Sequence, residues 1–339
     1  MTGKLEPEAL AEVLAATGAD DTAVDVGPAY GEDAAAIDLD GAASTLVVAA
    51  DPLSLAADAV GELAVHVACN DVAASGADPR WLTHTLFLPD DDPARRRTVT
   101  EQVDETARDL GVAIVGGHTE VLPSLERPLC SMTALGTTDR FVSTGGAEPG
   151  DRLLLTKGAG IEATAILATD FREKCADAGV PEETLDAAAS FLDEVGIVPD
   201  AAAVRDAATA MHDPTEGGLL TALVETASAS ASGTVLSVER DRVPVRPETR
   251  ACCDALGVDP LATFGSGALL AAVPPERVDE ATDALAAVGI AVGEIGEVRA
   301  AEGDGDGSDD GDGSNAGTVL LDGDRLDEAP RDELYPFWE

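Results

Sequence analysis

The chain has 339 residues, a length that suggests two domains, and 45% of them are apolar, enough for two hydrophobic cores. With 65 acidic residues against 21 basic ones the net charge is -44, a field that argues against a DNA, RNA or anionic-membrane partner. The acids are scattered over every segment, as on a solvated surface adapted to a salt-rich cytoplasm, so the charge says where the protein works and leaves its chemistry open.

In chain order, residues 6–17 read as a helix, with Pro7 in its first turn and Gly18 as its stop. Strands are expected at 33–38 and 45–50, joined by an Asp40-Gly41 hairpin turn. A helix at 61–75 ends at Gly76, a strand follows at 81–88, and a second long helix runs from Pro93 to Leu110. Strands at 112–115 and 129–137 complete a first domain, 1–143. The Gly- and Pro-rich STGGAEPGD, 143–151, marks a boundary, and a second domain spans 150–339. It opens on a buried strand at 152–156, and helices are expected near 161–171, 183–195 and 199–209. Helices at 217–230, 247–256 and 275–288 then alternate with strands at 234–239, 268–273 and 290–299, so both halves read as mixed α/β. Residues 303–317, all Gly, Asp, Ser and Asn apart from Ala316, lack the closing Glu of a calcium loop and read as a disordered acidic insertion between two strands. Five cysteines without a CxxC pair fit free thiols in a reducing compartment. No signal-like leader and no membrane-length apolar run is visible, which points to a cytoplasmic protein.

Three acidic segments stand out in the first half: Gly31-Glu32-Asp33-Ala34-Ala35, then Asp51 at the end of an apolar strand, then Asn70-Asp71 within a helix of apolar neighbours. Asn and Asp are poor helix formers and costly to bury, so their presence there asks for partners. Carboxylates at strand ends and on one helix face can converge on a hard cation, and magnesium bridges such groups to nucleotide phosphates. Each Asp taken alone, in so acidic a chain, reads more readily as surface. In the second half, Pro214-Thr215-Glu216-Gly217-Gly218 opens a helix whose first amides could seat an anion, or be capped in the ordinary way. Lys157, at a strand end before Gly158, is one of few lysines; a phosphate contact and a salt bridge are equally open readings.

The segments GEDAA (31–35), Asp51, NDVAASGADP (70–79), VGGHTEV (115–121), GDRLLLTKGAGIEATAIL (150–167), MHDPTEGGLLTAL (211–223) and FGSGALLAAV (264–273) resemble, in this order, the aminoimidazole ribonucleotide synthase (PurM-like) superfamily. That superfamily includes selenophosphate synthetase, thiamine-monophosphate kinase and the hydrogenase-maturation E protein, and the DPTEGGL and TKGAGIE segments are most similar to the last and its archaeal relatives. The resemblance implies a two-domain α/β (α+β) fold, in which the N-terminal sheet forms a dimeric barrel and a C-terminal α/β sandwich follows. It implies ATP and Mg2+ as cofactors, with Asp33, Asp51 and Asp71 as metal ligands. Glu32, Asp33, Asn70, Gly116, Gly117, Thr119, Gly217 and Gly218 become cofactor-binding candidates, and Asp213, Lys157 and His118 catalytic ones. The implied reaction is ATP-dependent phosphorylation of an amide- or acyl-type oxygen on a small-molecule or protein-borne acceptor, by a homodimer. A thiamine-phosphate-type kinase and an ATP-binding partner protein without turnover are the alternatives.

Two departures bear on that reading. His118 stands where the family carries an acidic residue, and a neutral imidazole is a poor magnesium ligand. Either one metal is lost, or Glu120 substitutes, or His118 donates to a phosphate across the Gly116-Gly117 turn. No cysteine follows Cys253 and none precedes Asp33, so neither the hydrogenase-maturation nor the selenophosphate reaction is expected in its usual form.

Overall fold

The computed structural model describes residues 10, 21–39, 44–54, 59–301, 317–326 and 328–339. The expected helix at 6–17, the Asp40-Gly41 turn and nearly all of the acidic insertion lie outside the described residues.

The first half folds as a six-stranded sheet in the order β1-β2-β3-β6-β4-β5. Its strands are β1 (Val24–Val26), β2 (Ala35–Ile37), β3 (Thr45–Leu53), β4 (Asp78–Leu88), β5 (Ala113–Val121) and β6 (Leu129–Thr138). Two helices, α1 (Val60–Ala74) and α2 (Pro93–Asp109), pack on it. Along β6 burial alternates strictly, and Cys130, Met132 and Ala134 meet Val65, Ala68 and Val72 of α1 in one core. α2 starts where the sequence says it should: the Asp92 carboxylate accepts a hydrogen bond from the Ala94 N–H at 2.9 Å, and Pro93 takes the first helical position.

β5 departs from expectation. The Gly116-Gly117 pair reads as a turn, yet the strand runs straight through it and pairs in parallel with β4. Glycine is needed at 117 for another reason: a Cβ there would stand 2.6 Å from the His84 carbonyl oxygen of the neighbouring strand.

The second half is a seven-stranded sheet in the order β13-β12-β9-β11-β7-β10-β8. The strands are β7 (Arg152–Thr156), β8 (Ala210–His212), β9 (Thr234–Val238), β10 (Leu270–Val273), β11 (Val292–Ala300), β12 (Thr318–Leu321) and β13 (Asp324–Leu326). The helices are α3 (Ile161–Ala168), α4 (Arg172–Asp177), α5 (Glu182–Ala189), α6 (Val198–Val204), α7 (Gly218–Ala229), α8 (Pro247–Leu256) and α9 (Val278–Ala287). β7 is buried on both faces: Leu153 and Leu155 join α7 in one core, while Leu154 joins α6 and α9 in another. The expected helix at 199–209 stops at Val204, and β8 follows it, so the MHD tripeptide begins on a buried edge strand. The last residues fold back on α3, α4 and α8, with Tyr335 edge-on to Phe264 and Trp338 edge-on to Phe171. No described helix is long and apolar enough to cross a membrane.

Candidate active site

The two halves meet along α1. Asn70 is fully buried there, its amide donating to the Val195 carbonyl and its oxygen accepting from the Ile197 N–H, each at 2.9 Å. The costly mid-helix Asn is thus explained by a structural tie, and both ends of its amide are engaged with backbone rather than open to a phosphate.

Beside this tie lies a cavity of about 520 Å³ whose wall comes from both halves. The first half contributes Glu32 and Asp33 from the loop before β2, Asp51 from β3 and Asp71 from α1; the second contributes Glu162, His212, Glu216 and Glu225. Three of the predicted metal carboxylates are therefore brought to one wall. Asp71 is buried, and its carboxyl is pushed well above the usual range, first by burial and then by Asp51 and Asp33, with a hydrogen bond to Asp51 adding to the effect. Asp213 is 1% exposed and is raised likewise, by burial first and by Asp33 next, with His212 and Asn70 opposing. Both Asp213 carboxyl oxygens are buried, and Asn70 acts on them through a side-chain hydrogen bond.

Among the described residues no three His, Cys, Asp or Glu side chains form a ready metal cage. Magnesium does not require one, because it retains waters and takes phosphate oxygens alongside one or two carboxylates. The donors here are hard carboxylate oxygens, and they fit that ion.

Sequence reasoning missed His212, although it lies in the MHDPTEGG segment. Its Nδ1 stands 2.7 Å from Asp33 Oδ1 and its Nε2 3.0 Å from Glu225 Oε2. Burial alone would depress its basicity; the flanking Asp33 and Glu225 carboxylates outweigh burial and raise it to about 10. Glu162 was missed as well. It is 4% exposed, and burial raises its carboxyl to about 7 against a hydrogen bond from Ser266. The available signal was a Glu as the one charged residue of a helix, which holds for Glu162 in α3 and Glu225 in α7 alike.

Other predicted residues are placed elsewhere. The Lys157 ammonium pairs with the buried Asp200 at 3.0 Å and donates to the Glu194 and Gly196 carbonyls at 3.1 and 2.7 Å, so the salt-bridge alternative describes it and the phosphate alternative does not. The amides at the start of α7 are not open: Gly217 N–H donates to the Asp332 carboxylate at 2.7 Å and Gly218 N–H to the Thr215 carbonyl at 3.0 Å. Gly116, Gly117, His118 and Thr119 lie on β5, every residue of which is exposed, and the His118 ring meets Glu120 at 3.2 Å rather than the cavity. Glu32 lines the cavity and accepts a hydrogen bond from the Ser143 hydroxyl.

Comparison with known proteins bears on the same residues. The family model for the N-terminal domain of AIR synthase related proteins matches residues 31–138, and that for their C-terminal domain matches 148–306. Carbamoyl dehydratase HypE of Azotobacter vinelandii is 34% identical over 244 residues, covering 70% of this chain and 68% of that protein. A solved structure of the hydrogenase maturation protein HypE in complex with ATP superposes with a TM-score of 0.64 at 26% identity, covering 92% of each chain. The structure of AaThiL complexed with AMPPCP and TMP has a TM-score of 0.72 at 21% identity, covering 96% of this chain and 95% of that one, a likeness of fold.

Proposed function

Since the chain belongs to the AIR synthase related family, we propose that it is an ATP-dependent enzyme that phosphorylates, and so activates, an amide- or acyl-type oxygen of its acceptor. The observation that carries this reading is the carboxylate cluster Asp33, Asp51 and Asp71 on the wall of a cavity shared by both halves, with the buried Asp213 beside Asp33. Asp33, Asp51 and Asp71 would hold magnesium, which when bound supplies positive charge against the nucleotide phosphates. The acceptor oxygen forms a bond to the γ-phosphorus as the β–γ bridging bond breaks and ADP departs; positioning and charge neutralisation do most of this work. Glu162, able to hold or release a proton near neutrality, is suited to take the proton that the acceptor gives up. The HypE relative is named a carbamoyl dehydratase, which makes a carboxamide, small or protein-borne, the acceptor class to try first. In a dehydration the phosphorylated oxygen then leaves with the phosphate.

The homodimer belongs to the same proposal. Among the described residues β5 ends its sheet with an unpaired edge, and Val115 and Val121 on it are 59% and 42% exposed, a surface that single chains normally protect. The residues 116–119 would reach a nucleotide only from a second copy joined there. A salt-rich cytoplasm remains the setting that the composition favours.

The test is calorimetric titration of ATP with and without magnesium into the parent and into Asp33→Asn, Asp51→Asn and Asp71→Asn. Each variant should lose about 1–3 kcal/mol of metal-dependent binding, the worth of a charge-assisted ligand. Unchanged affinity in all three removes the metal assignment. ADP release against carboxamide and thiamine-phosphate acceptors then separates the dehydratase-type enzyme from a kinase, and its absence with every acceptor would leave a binding protein.

A further inference from the structure

We propose that His212 is a positioning residue: clamped between Glu225 and Asp33, it holds the Asp33 carboxylate in the cavity and makes the metal-binding wall depend on the second sheet. This rests on the reading of the cavity as the magnesium–ATP site.

Asp33 sits in the loop before β2, and among the described residues no hydrogen bond from the first half fixes its carboxylate. The second half supplies the grip. Asp33 Oδ1 lies 2.7 Å from His212 Nδ1, and Asp33 Oδ2 accepts from the Asp213 N–H at 3.3 Å. Two consecutive residues at the end of β8 thus address the two oxygens of one carboxylate. A carboxylate has about four lone-pair positions, so two remain for a ligand in the cavity.

The clamp is itself held from behind. His212 Nε2 is 3.0 Å from Glu225 Oε2, and Glu225 projects from α7, which is packed into the core of the second sheet. The loop carrying Asp33 is seated on the same helix. Gly31 adopts φ +84°, and a Cβ there would stand 2.7 Å from the Glu225 carbonyl oxygen, so the backbone approaches α7 as closely as glycine allows. His212 and Glu225 are both buried. With both ring nitrogens facing carboxylates of the protein, the imidazole has none left for a phosphate, which excludes a direct nucleotide contact. Among the described residues lining the cavity there is no lysine or arginine, so His212 is the one basic side chain set against its carboxylates.

Two isosteric substitutions separate the two contacts. The amide nitrogen of asparagine falls near the Nδ1 position and that of glutamine near the Nε2 position. His212→Asn therefore keeps a donor toward Asp33 and loses the one toward Glu225, while His212→Gln does the reverse. Magnesium is titrated into full-length protein at fixed ATP and followed by calorimetry, with a urea melt of each variant alongside. A partner that orients a metal ligand is commonly worth about 10–100-fold in affinity, so His212→Gln should weaken apparent magnesium affinity by that factor. His212→Asn should stay within a few fold of the parent. Equal losses in both variants, in step with equal falls in the melt, would mean that His212 only ties the halves together and would overturn the proposal; so would equal retention in both. A parent that binds no ATP with magnesium sinks the functional reading instead, whereas a binding parent with the wrong variant order sinks only the role of His212.

Discussion

Glu162→Gln isolates the cost of keeping an acid in the wall of the cavity. The carboxyl is almost fully buried at the start of α3, where its own N–H donates to the Ser266 carbonyl at 3.1 Å. Burial raises it from 4.5 to about 7, with Glu216 and Asp332 adding and Ser266 opposing. In this window the folded chain binds the proton more tightly than the unfolded chain does. Stability therefore falls as pH rises from about 4.5, and the loss is complete above about 7. At about 1.4 kcal/mol per pH unit, the parent should lose about 2–3 kcal/mol between pH 5 and 8 from this one group. Glutamine matches the shape without the proton, so Glu162→Gln should gain that much relative to the parent over the same interval. The assay is urea unfolding of both proteins at pH 5, 6, 7 and 8 in matched salt without nucleotide. Parallel pH profiles would refute the reasoning, because they would mean that Glu162 is solvated enough to ionise normally. If Glu162 also takes the acceptor's proton, ADP release by the parent should rise through an inflection near 7 that the variant lacks.

Asn70→Ala leaves the Val195 carbonyl and the Ile197 N–H buried without partners and should cost about 2–4 kcal/mol in urea unfolding, as expected for two unmade buried hydrogen bonds. A cost under 1 kcal/mol, on the order of a surface substitution, would show that the tie along α1 is not what joins the halves. Gly217→Ala adds strain at φ +76° and puts a Cβ 2.1 Å from Thr221 Oγ1 and 2.8 Å from the Pro330 carbonyl. The C-terminal segment held by Asp332 should then be cleaved faster in limited proteolysis, and an unchanged cleavage rate would count against its docking on α7.

Where the sequence is legible here, a local cause is at work. α2 is bounded by Asp92-Pro93 at one end and by Gly111 at the other, and α1 by Gly76, so periodicity and stop signals suffice. β5 is misread because glycine pairs usually mark turns, whereas these two lie in a strand whose neighbour comes too close for a side chain at 117. β8 escapes notice because three residues carry no period. The site divides in the same way. Asp33, Asp51 and Asp71 can be picked out because their segments recur in a known order. His212 and Glu225 act through contacts that span 179 and 13 residues of chain respectively, from His212 to Asp33 (212 − 33) and from His212 to Glu225 (225 − 212), and neither separation leaves a mark on the local pattern.

The acidity of this chain makes the final step depend on burial. Among 65 Asp and Glu residues an acid in a motif means little, since a solvated carboxylate is the default. The few buried acids are another matter, because each must be compensated. Asp332 accepts from two backbone amides, at 2.7 and 2.9 Å, and Asp200 is met by Lys157. Asp151 accepts from the Thr209 hydroxyl and the Glu148 N–H. Glu225 faces His212, and Asp71 shares a hydrogen bond with Asp51. Asp213 is met by the Asn70 amide and the neighbouring His212, yet burial and Asp33 still push its carboxyl well above the usual range. Burial disfavours its charged form, and it stands beside Asp33, whose carboxylate lines the cavity with Asp51 and Asp71.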